Sequence, residues 1–565
     1  MKQNNQQQLR SKVWEIINTV ETRGLFIHSD TLSVKKGGRY IRIPTILGTA
    51  VLNALVPNSA MLLIGGHGGG KTTLLKNLGR MFTGKSLAEI DDSILRGHPQ
   101  LTEEKVVATL KAGKLIKEGV EEVVWRKFIT SFWKIIDEVN RLTPYIQDIL
   151  LSLLAEGEVK YYDSAYRLDT YALFGTMNPR DVGAFEIPLP FLDRFGIAVP
   201  VTMPDKMDLE TILKSPDEKL YGYDEEWQVP KILTESELVT IWKFIDSMTF
   251  EDDAKELIVS IVREMNACVR ADKSRLTSLQ VGSGLCTDCH FNTKKSVCNK
   301  VVSPASVRVA KDMMRYSKAL AWLVDESRVT AHVVKTIAPF IIWHRVRFVD
   351  RELNARPYYG DAFKFAKYII DLAVQRYVYR KPAYDMLREL EKGSLDKKSI
   401  TKIEQMAKSD VVITVDILPR IKEMQKKESL KMYKAIDEAI STKDIETLVK
   451  LHRKIIQGSP ISNRSTLLIK IEKAIHEMTV ELFILKEEAW DEIWPDICEI
   501  IPEKTKAIKE TLGKNVRKRI ISDDVSMNIV STMTPNNERE IYIEVSGWER
   551  ANQIKKILRQ YSVGP

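Results

Sequence analysis

The stretch Met61-Leu62-Leu63-Ile64-Gly65-Gly66-His67-Gly68-Gly69-Gly70-Lys71-Thr72-Thr73 is an apolar run that breaks into a glycine-rich loop and ends in Lys-Thr. Gly65, Gly70, Lys71 and Thr72 match the phosphate-binding pattern G-x-x-x-x-G-K-[ST]. The chemistry needs these residue types. Glycines at 65, 68, 69 and 70 let the backbone wrap an anion with its N–H groups, Lys71 brings a charge to the terminal phosphates, and the Thr72 hydroxyl, followed by Thr73, ligates Mg²⁺. The apolar run predicts a buried strand. Thr73 to Arg80 predicts a helix whose N-terminus points partial positive charge at the same anion. A nucleoside triphosphate, ATP or GTP, is the expected ligand.

A second carboxylate-bearing strand is expected downstream, and Phe132-Trp133-Lys134-Ile135-Ile136-Asp137-Glu138 supplies one. Its Asp137 suits the metal and its Glu138 suits polarisation of an attacking water. A third strand, Tyr171 to Met177, runs into Asn178, which suits orientation of that water. Leu192-Asp193-Arg194-Phe195 then offers Arg194, the residue type that a neighbouring subunit inserts to neutralise transition-state charge.

The order of these pieces, GGHGGGKTT, IIDEVNR, QDILLSLLAEGEV and TMNPRDVGAFEIPLPFLDRF, resembles the MoxR group of AAA+ ATPases, a helix-2-insert clade, over roughly residues 40 to 346. The resemblance implies ATP and Mg²⁺ as cofactors, ATP hydrolysis, a Walker A motif at Gly65 to Thr72 and a Walker B motif at Asp137 and Glu138. It also implies sensor 1 at Asn178, a trans-acting arginine finger at Arg194 and a sensor 2 arginine at Arg308, which follows Ser303-Pro304-Ala305-Ser306-Val307. A homo-oligomeric ring, a hexamer, that acts as a chaperone or remodelling motor on a protein client is implied too, as is a partner carrying a von Willebrand type A domain. Two departures stand out: His67 occupies a position where the family pattern has proline, and Thr83 to Lys134 leaves the pore residues unassigned. Within that segment Leu101 to Glu118 reads as helical, and Glu156 to Asp169 reads as a hairpin with Tyr161, Tyr162 and Tyr166.

Four of the five cysteines fall between Cys268 and Cys298. Cys286-x-x-Cys289-His290 with Cys298 has metal-ligand spacing, two thiolates on a knuckle and a third returned by a short loop. The fourth ligand is Cys268, with His290 as the alternative. Structural Zn²⁺ is the expected occupant, an iron–sulfur cluster or free thiols the alternatives.

The remaining features bound the picture. A chain of 565 residues with 44% apolar and 28% charged content predicts a multidomain globular protein. A net charge of +9 permits nucleic-acid contact without indicating it. Met1 to Arg10 is polar and glutamine-rich, so neither a secretory signal nor a membrane span is expected there, and the expected location is cytoplasmic. Long helical patterns fill Asp361 to Glu391, Leu418 to Ser441 and Thr466 to Trp494, with breaks at Gly393-Ser394, Gly458-Ser459-Pro460 and Pro502. Lys514 to Arg519 reads as a solvated basic linker. After it a hairpin, Met527 to Met533 and Ile541 to Val545, turns at Thr534 to Asn537 and precedes a helix from Trp548 to Tyr561.

The expected fold is therefore α/β: an AAA+ P-loop αβα core with a helical lid carrying a Cys-rich insertion, then a helical C-terminal region and a small α+β tail. The expected divisions are 1–40 (N-terminal helical segment), 41–204 (core), 205–346 (lid, insertion at about 268–300), 347–515 (helical region) and 516–565 (α+β module). A competing reading is a nucleotide-gated assembly scaffold or DNA-associated motor with slow hydrolysis. The paired Glu138 and Arg194 argue against it, because a scaffold has no need of both.

Overall fold

Strand β1 (Ser59–Gly65) is an interior strand, second from one edge, of a five-stranded parallel sheet, and its residues from Ser59 to Leu63 are all buried. A strand covered on both faces reads as a continuous apolar run, which is why Met61-Leu62-Leu63-Ile64 shows no alternation. With β2 (Ile94–Arg96), β3 (Trp133–Asp137), β4 (Ala172–Met177) and β5 (Ile197–Val201), the sheet order is β5-β1-β4-β3-β2. Register places Met177 beside Ile64, Gly175 beside Ile136 and Arg96 beside Asp137. The strands therefore end together at one carboxyl edge, where a parallel sheet gathers its loops into a site.

A computed structural model provides the coordinates, describing residues 2–66, 68–111, 116, 121–179, 183–214, 229–269, 286, 288–392, 396–457, 461, 463–501, 506–512, 515–522, 524–533 and 538–562. His67, the turn at 534–537 and the expected breaks at 393–394, 458–460 and 502 lie outside the described residues. The chain forms two compact units, Met1–Lys381 and Pro382–Pro565.

In the first unit, helix α1 (Lys71–Thr83) follows the glycine loop and stops at Gly84, whose φ of 75° lets its N–H close on the Arg80 carbonyl. Trp133 packs between Phe82 and Phe174 and donates its indole N–H to the Leu75 carbonyl, which locks α1 onto β3. Lys134, also on β3 and buried, donates to the carbonyls of Phe128, Ile129 and Ser131, so the ammonium serves three backbone acceptors that would otherwise lack partners. The helix expected over Leu101 to Glu118 is not formed as such between Leu101 and Lys111, and residues 112–115 and 117–118 lie outside the described residues. A one-turn helix, Glu103–Val106, gives way to strand Ala108–Leu110 paired with Val123–Trp125, because Val106, Val107 and Ala108 bury into the core cluster beside Leu95 and Phe128. The hairpin before β4 is present as Glu158–Tyr161 and Ser164–Arg167. Its Tyr161 is buried, Tyr162 is exposed and the Tyr166 ring lies 5.3 Å from that of Trp125, tilted by 47°.

The lid consists of α2 (Glu235–Asp246), α3 (Asp252–Asn266), α4 (Val307–Leu323) and α5 (Ala331–Ile342). Thr234 and Glu237 form a reciprocal capping box that starts α2, and Trp242 of that helix donates to the Ala54 carbonyl of the core. The N-terminal segment is more than a helix: Lys2–Thr22 is followed by a hairpin, Thr31–Lys36 with Arg39–Pro44. Arg10 and Trp14 of the helix bond the carbonyls of Trp322 and Leu323 at the end of α4. The part of helix α6 (Ala362–Lys392) up to Lys381 closes the unit, with Arg376 and Arg380 on Glu264 of α3.

The second unit begins with helices Lys397–Ala407, Leu418–Ser441, Ile445–Ile456 and Arg464–Thr479. An antiparallel sheet follows, built from β6 (Glu481–Lys486), β7 (Lys506–Leu512), β8 (Asn515–Ile521), β9 (Val525–Met533) and β10 (Arg539–Gly547) in the order β6-β10-β9-β8-β7. Helices Glu487–Ile500 and Glu549–Tyr561 cover one face of it. The helical reading of Thr466 to Trp494 is corrected here: strand β6 interrupts it, because Phe483 and Leu485 pair into β10 opposite Ile543 and Ile541. The sheet thus reaches back to Glu481, ahead of the expected boundary at 516. From Asn515 to Arg519 the basic run belongs to β8, with the Lys518 ammonium 4.1 Å from the Trp494 ring. Among the described residues no helix is long and apolar enough to cross a membrane.

Candidate nucleotide site

Three carboxyl ends meet at one cleft, which is lined by Gly68, Gly69, Gly70, Lys71, Thr72 and Thr73 from the loop and α1, Asp137 and Glu138 from β3, and Thr176, Met177 and Asn178 from β4. The glycines are there for stated reasons. Gly68 and Gly70 have φ of 77° and 64°, and a Cβ on Gly65 would lie 2.2 Å from the Val201 carbonyl oxygen. The Lys71 ammonium donates to the carbonyls of Gly65 and Gly66, which keeps it over the loop. Burial lowers its pKa, opposed by the charges of Asp137 and Glu138.

Asp137 Oδ1 accepts from Thr72 Oγ1 at 2.8 Å and from Thr176 Oγ1 at 2.6 Å. The Thr72 hydroxyl and the Asp137 carboxylate thus converge on one point. That donor set fits Mg²⁺, which binds through one or two protein oxygens plus phosphate and water. Glu138 has the left-handed φ of 58°, its N–H donates to Thr176 Oγ1 at 2.9 Å, and its carboxylate pairs with Arg141 at 3.2 Å. Asn178 is buried at the end of β4, where its carbonyl accepts from Asn140 Nδ2 at 2.7 Å.

Three contributors were not singled out from sequence. Thr176 bridges the Asp137 carboxylate and the Glu138 backbone, and nothing in the string Phe174-Gly175-Thr176 announces it. Gly97 donates its N–H to the Asp137 carbonyl at 2.7 Å, and a Cβ on it would meet the Glu138 oxygen at 2.1 Å. Its place inside Arg96-Gly97-His98-Pro99 was the available signal. Beside the loop, Phe26 approaches Gly70 and stacks near His28, their rings 6.4 Å apart and 7° from parallel. With Ile27, Ile46, Leu47 and Asp208 they line a second cleft next to the phosphate loop.

Arg194 and Arg308 are elsewhere. Neither lines the phosphate cleft; Arg194 precedes β5, at the amino end of the sheet, and Arg308 lies close to it on the lid. Arg308 pairs with Asp193 at 2.9 Å, and Ser306 Oγ bonds the same carboxylate at 2.7 Å. Burial lowers the Arg194 pKa, as does the nearby Arg308 charge, with Asp193 opposing.

The cysteines do not form the expected metal centre. Cys268, Cys286, Cys289 and Cys298 are free thiols, and among the described residues no three His, Cys, Asp or Glu donors are placed to hold a metal ion. Burial pushes the Cys298 thiol up to about 12, with Glu264 and the thiols of Cys286, Cys268 and Cys289 adding to the shift. The His290 ring lies 3.8 Å from that of Phe291, tilted by 41°. The placement of the donors among the described residues thus does not support the zinc or iron–sulfur reading.

Fold and cleft define a P-loop nucleotide-binding ATPase core with the β5-β1-β4-β3-β2 order. Residues 60–195 match the family model of the AAA domain, dynein-related subfamily. This part of the chain is thus an AAA+ ATPase domain. A crystal structure of a candidate ATPase from Cytophaga hutchinsonii shares 20% identity, over 66% of this chain and 96% of that chain, with a TM-score of 0.49. No curated protein matches the chain by sequence.

Proposed function

We propose that the chain is an ATP-hydrolysing subunit of the MoxR type that works in a homo-oligomeric ring, a hexamer in this reading, each nucleotide held by one subunit and completed by the next. The observation that carries the reading is the placement of the two halves of the machinery at opposite ends of one sheet. Ile197 stands beside Met61 and Val201 beside Gly65, so the four residue steps of β5 alone separate Arg194 from the loop level by roughly 13 Å. An arginine so placed serves another subunit's nucleotide, and Arg308 beside it shares that outward face.

In this reading the loop amides and Lys71 hold the phosphates, and the base lies against Phe26 and His28. Thr72 and Asp137 would hold Mg²⁺, which would supply charge neutralisation on the phosphate oxygens. Water attacks the γ-phosphorus as the bond to the bridging oxygen breaks; Glu138 takes the water's proton and Asn178 orients the water. Arg194 of the neighbour meets the negative charge that develops on the transferring group. The client proposed is a protein, in keeping with the family resemblance, and a protein with a von Willebrand type A domain is the first partner to test.

Three substitutions test the mechanism. Lys71→Ala is expected to abolish binding of a fluorescent ATP analogue, and Glu138→Gln to bind it without turnover while retaining the client in a pull-down. Arg194→Ala is expected to bind ATP normally and to lose about 10³-fold or more in kcat; wild-type turnover in that variant refutes the trans role.

A further inference from the structure

The three residues Asp193-Arg194-Phe195 are gripped by the lid on both sides of the arginine. On one side Ser306 and Arg308 hold the Asp193 carboxylate. On the other, the Phe195 carbonyl meets Arg345 Nε at 2.9 Å, Arg345 Nη2 at 2.5 Å and His344 Nε2 at 2.8 Å. Arg345 is itself fixed by Asp312 of α4 at 2.7 Å, with side-chain exposures of 1% and 11%. The Phe195 ring is fully buried against Phe191, and a Cβ on Gly196 would strike Tyr316 of α4. The segment therefore has little freedom to move apart from the lid.

This network is an expensive way to gain stability alone. Burying an ion pair returns little net free energy against an apolar replacement. It also leaves Arg345 Nη1, His344 Nδ1 and Arg194 Nε buried without hydrogen-bond partners, where a core built for stability satisfies its polar atoms. What the network does specify is position: two lid side chains converge on one main-chain oxygen, the one that directly follows Arg194.

We propose that Arg345, braced by Asp312, is a positioning residue through which the lid of one subunit sets the reach of its Arg194 into the neighbour's nucleotide site. A displacement of α4 and the end of α5 is then delivered through the Phe195 carbonyl to the arginine, which makes the lid a lever between adjacent sites. The inference rests on the trans role of Arg194 proposed above.

The test compares Arg345→Gln, Arg194→Ala and their double variant on the full chain, measuring kcat, KM and the dissociation constant for ATP. Arg345→Gln is expected to lower kcat roughly tenfold or more with KM and ATP affinity within about twofold of wild type, and to add nothing in the Arg194→Ala background. Its own nucleotide site is intact, so mixing it with Lys71→Ala subunits, which supply a well-placed Arg194, is expected to restore turnover. Unchanged kcat in Arg345→Gln, an equal loss on top of Arg194→Ala, or no rescue on mixing overturns the proposal. Should Arg345→Gln fail to fold, Asp312→Asn with Arg345→Gln removes both charges together, and Ser306→Ala loosens the Asp193 side without exposing a buried charge. Both are held to the same criteria, with a several-fold loss expected for Ser306→Ala. Wild-type turnover in Arg194→Ala sinks the trans reading itself, whereas a slow Arg194→Ala beside a fast Arg345→Gln sinks the lever alone.

Discussion

At Gly97 a single methyl group would disturb the backbone that carries Asp137 and Glu138. A Cβ there would stand 2.1 Å from the Glu138 main-chain carbonyl oxygen and 2.9 Å from that of Asp137, so the end of β3 must shift to admit it. Misplacement of about 1 Å costs on the order of 10² in rate. Gly97→Ala is accordingly expected to lose kcat by about that factor while the glycine loop still binds ATP, as measured by steady-state turnover beside a binding titration. His344 makes a second residue-level prediction. Burial, with the Arg345 charge beside it, pushes its pKa from 6.5 to about 3, against the opposing hydrogen bond to the Phe195 carbonyl. Below pH 6.5 the unfolded chain takes up a proton that the folded chain refuses. Its contribution is therefore complete above pH 6.5 and is lost at up to about 1.4 kcal/mol per pH unit as pH falls toward 3. Urea midpoints at pH 7.5 and 5.5 are expected to fall further apart in wild type than in His344→Gln; equal differences contradict the assignment.

Between elements of the first unit, a buried polar tie joins α3 to α6. Glu264 and Arg380 are fully buried and bonded, with Ser260 Oγ 2.7 Å from Arg380 Nη1 and Arg376 3.1 Å from the same carboxylate. Arg380→Ala removes the guanidinium that faces Glu264 most closely and is expected to cost roughly 3–5 kcal/mol in urea unfolding; a loss under about 1 kcal/mol shows the tie to be incidental. The elements that carry the nucleotide were legible in the sequence because motif and burial coincide there. Met61 to Gly65 is apolar up to its glycine, Trp133 to Asp137 is apolar but for Lys134 up to its carboxylate, and Ala172 to Met177 runs into Asn178. Elements defined by distant partners were not. Glu481-Leu482-Phe483-Ile484-Leu485-Lys486 sits between two helix-period segments and becomes a strand through pairing with residues 540–545. The cysteine spacing was equally visible, but spacing does not report whether thiols are exposed, ionised or aimed at one point. Thr176 and Asp193 escaped notice for a related reason: each acts through a hydrogen bond to a residue far along the chain or on another element.

At the scale of the whole molecule, the proposed function makes the site in one chain half a site. The glycine loop, Thr72, Asp137, Glu138 and Asn178 share the carboxyl end of the sheet, while Arg194 and Arg308 lie at the other end, where Arg308 pairs with Asp193. In the ring we propose, heterologous contacts close such halves against one another, each subunit presenting its arginines to the next. The measurement that tests this most directly is ATPase activity on mixing two variants that are each inactive alone. Lys71→Ala cannot bind ATP but carries Arg194, and Arg194→Ala binds ATP but lacks the arginine. With random assembly of equal amounts, half the subunits have an intact cleft and half of those face a neighbour with the arginine, so about a quarter of wild-type turnover is expected. A mixture no more active than its separate components would contradict the shared site.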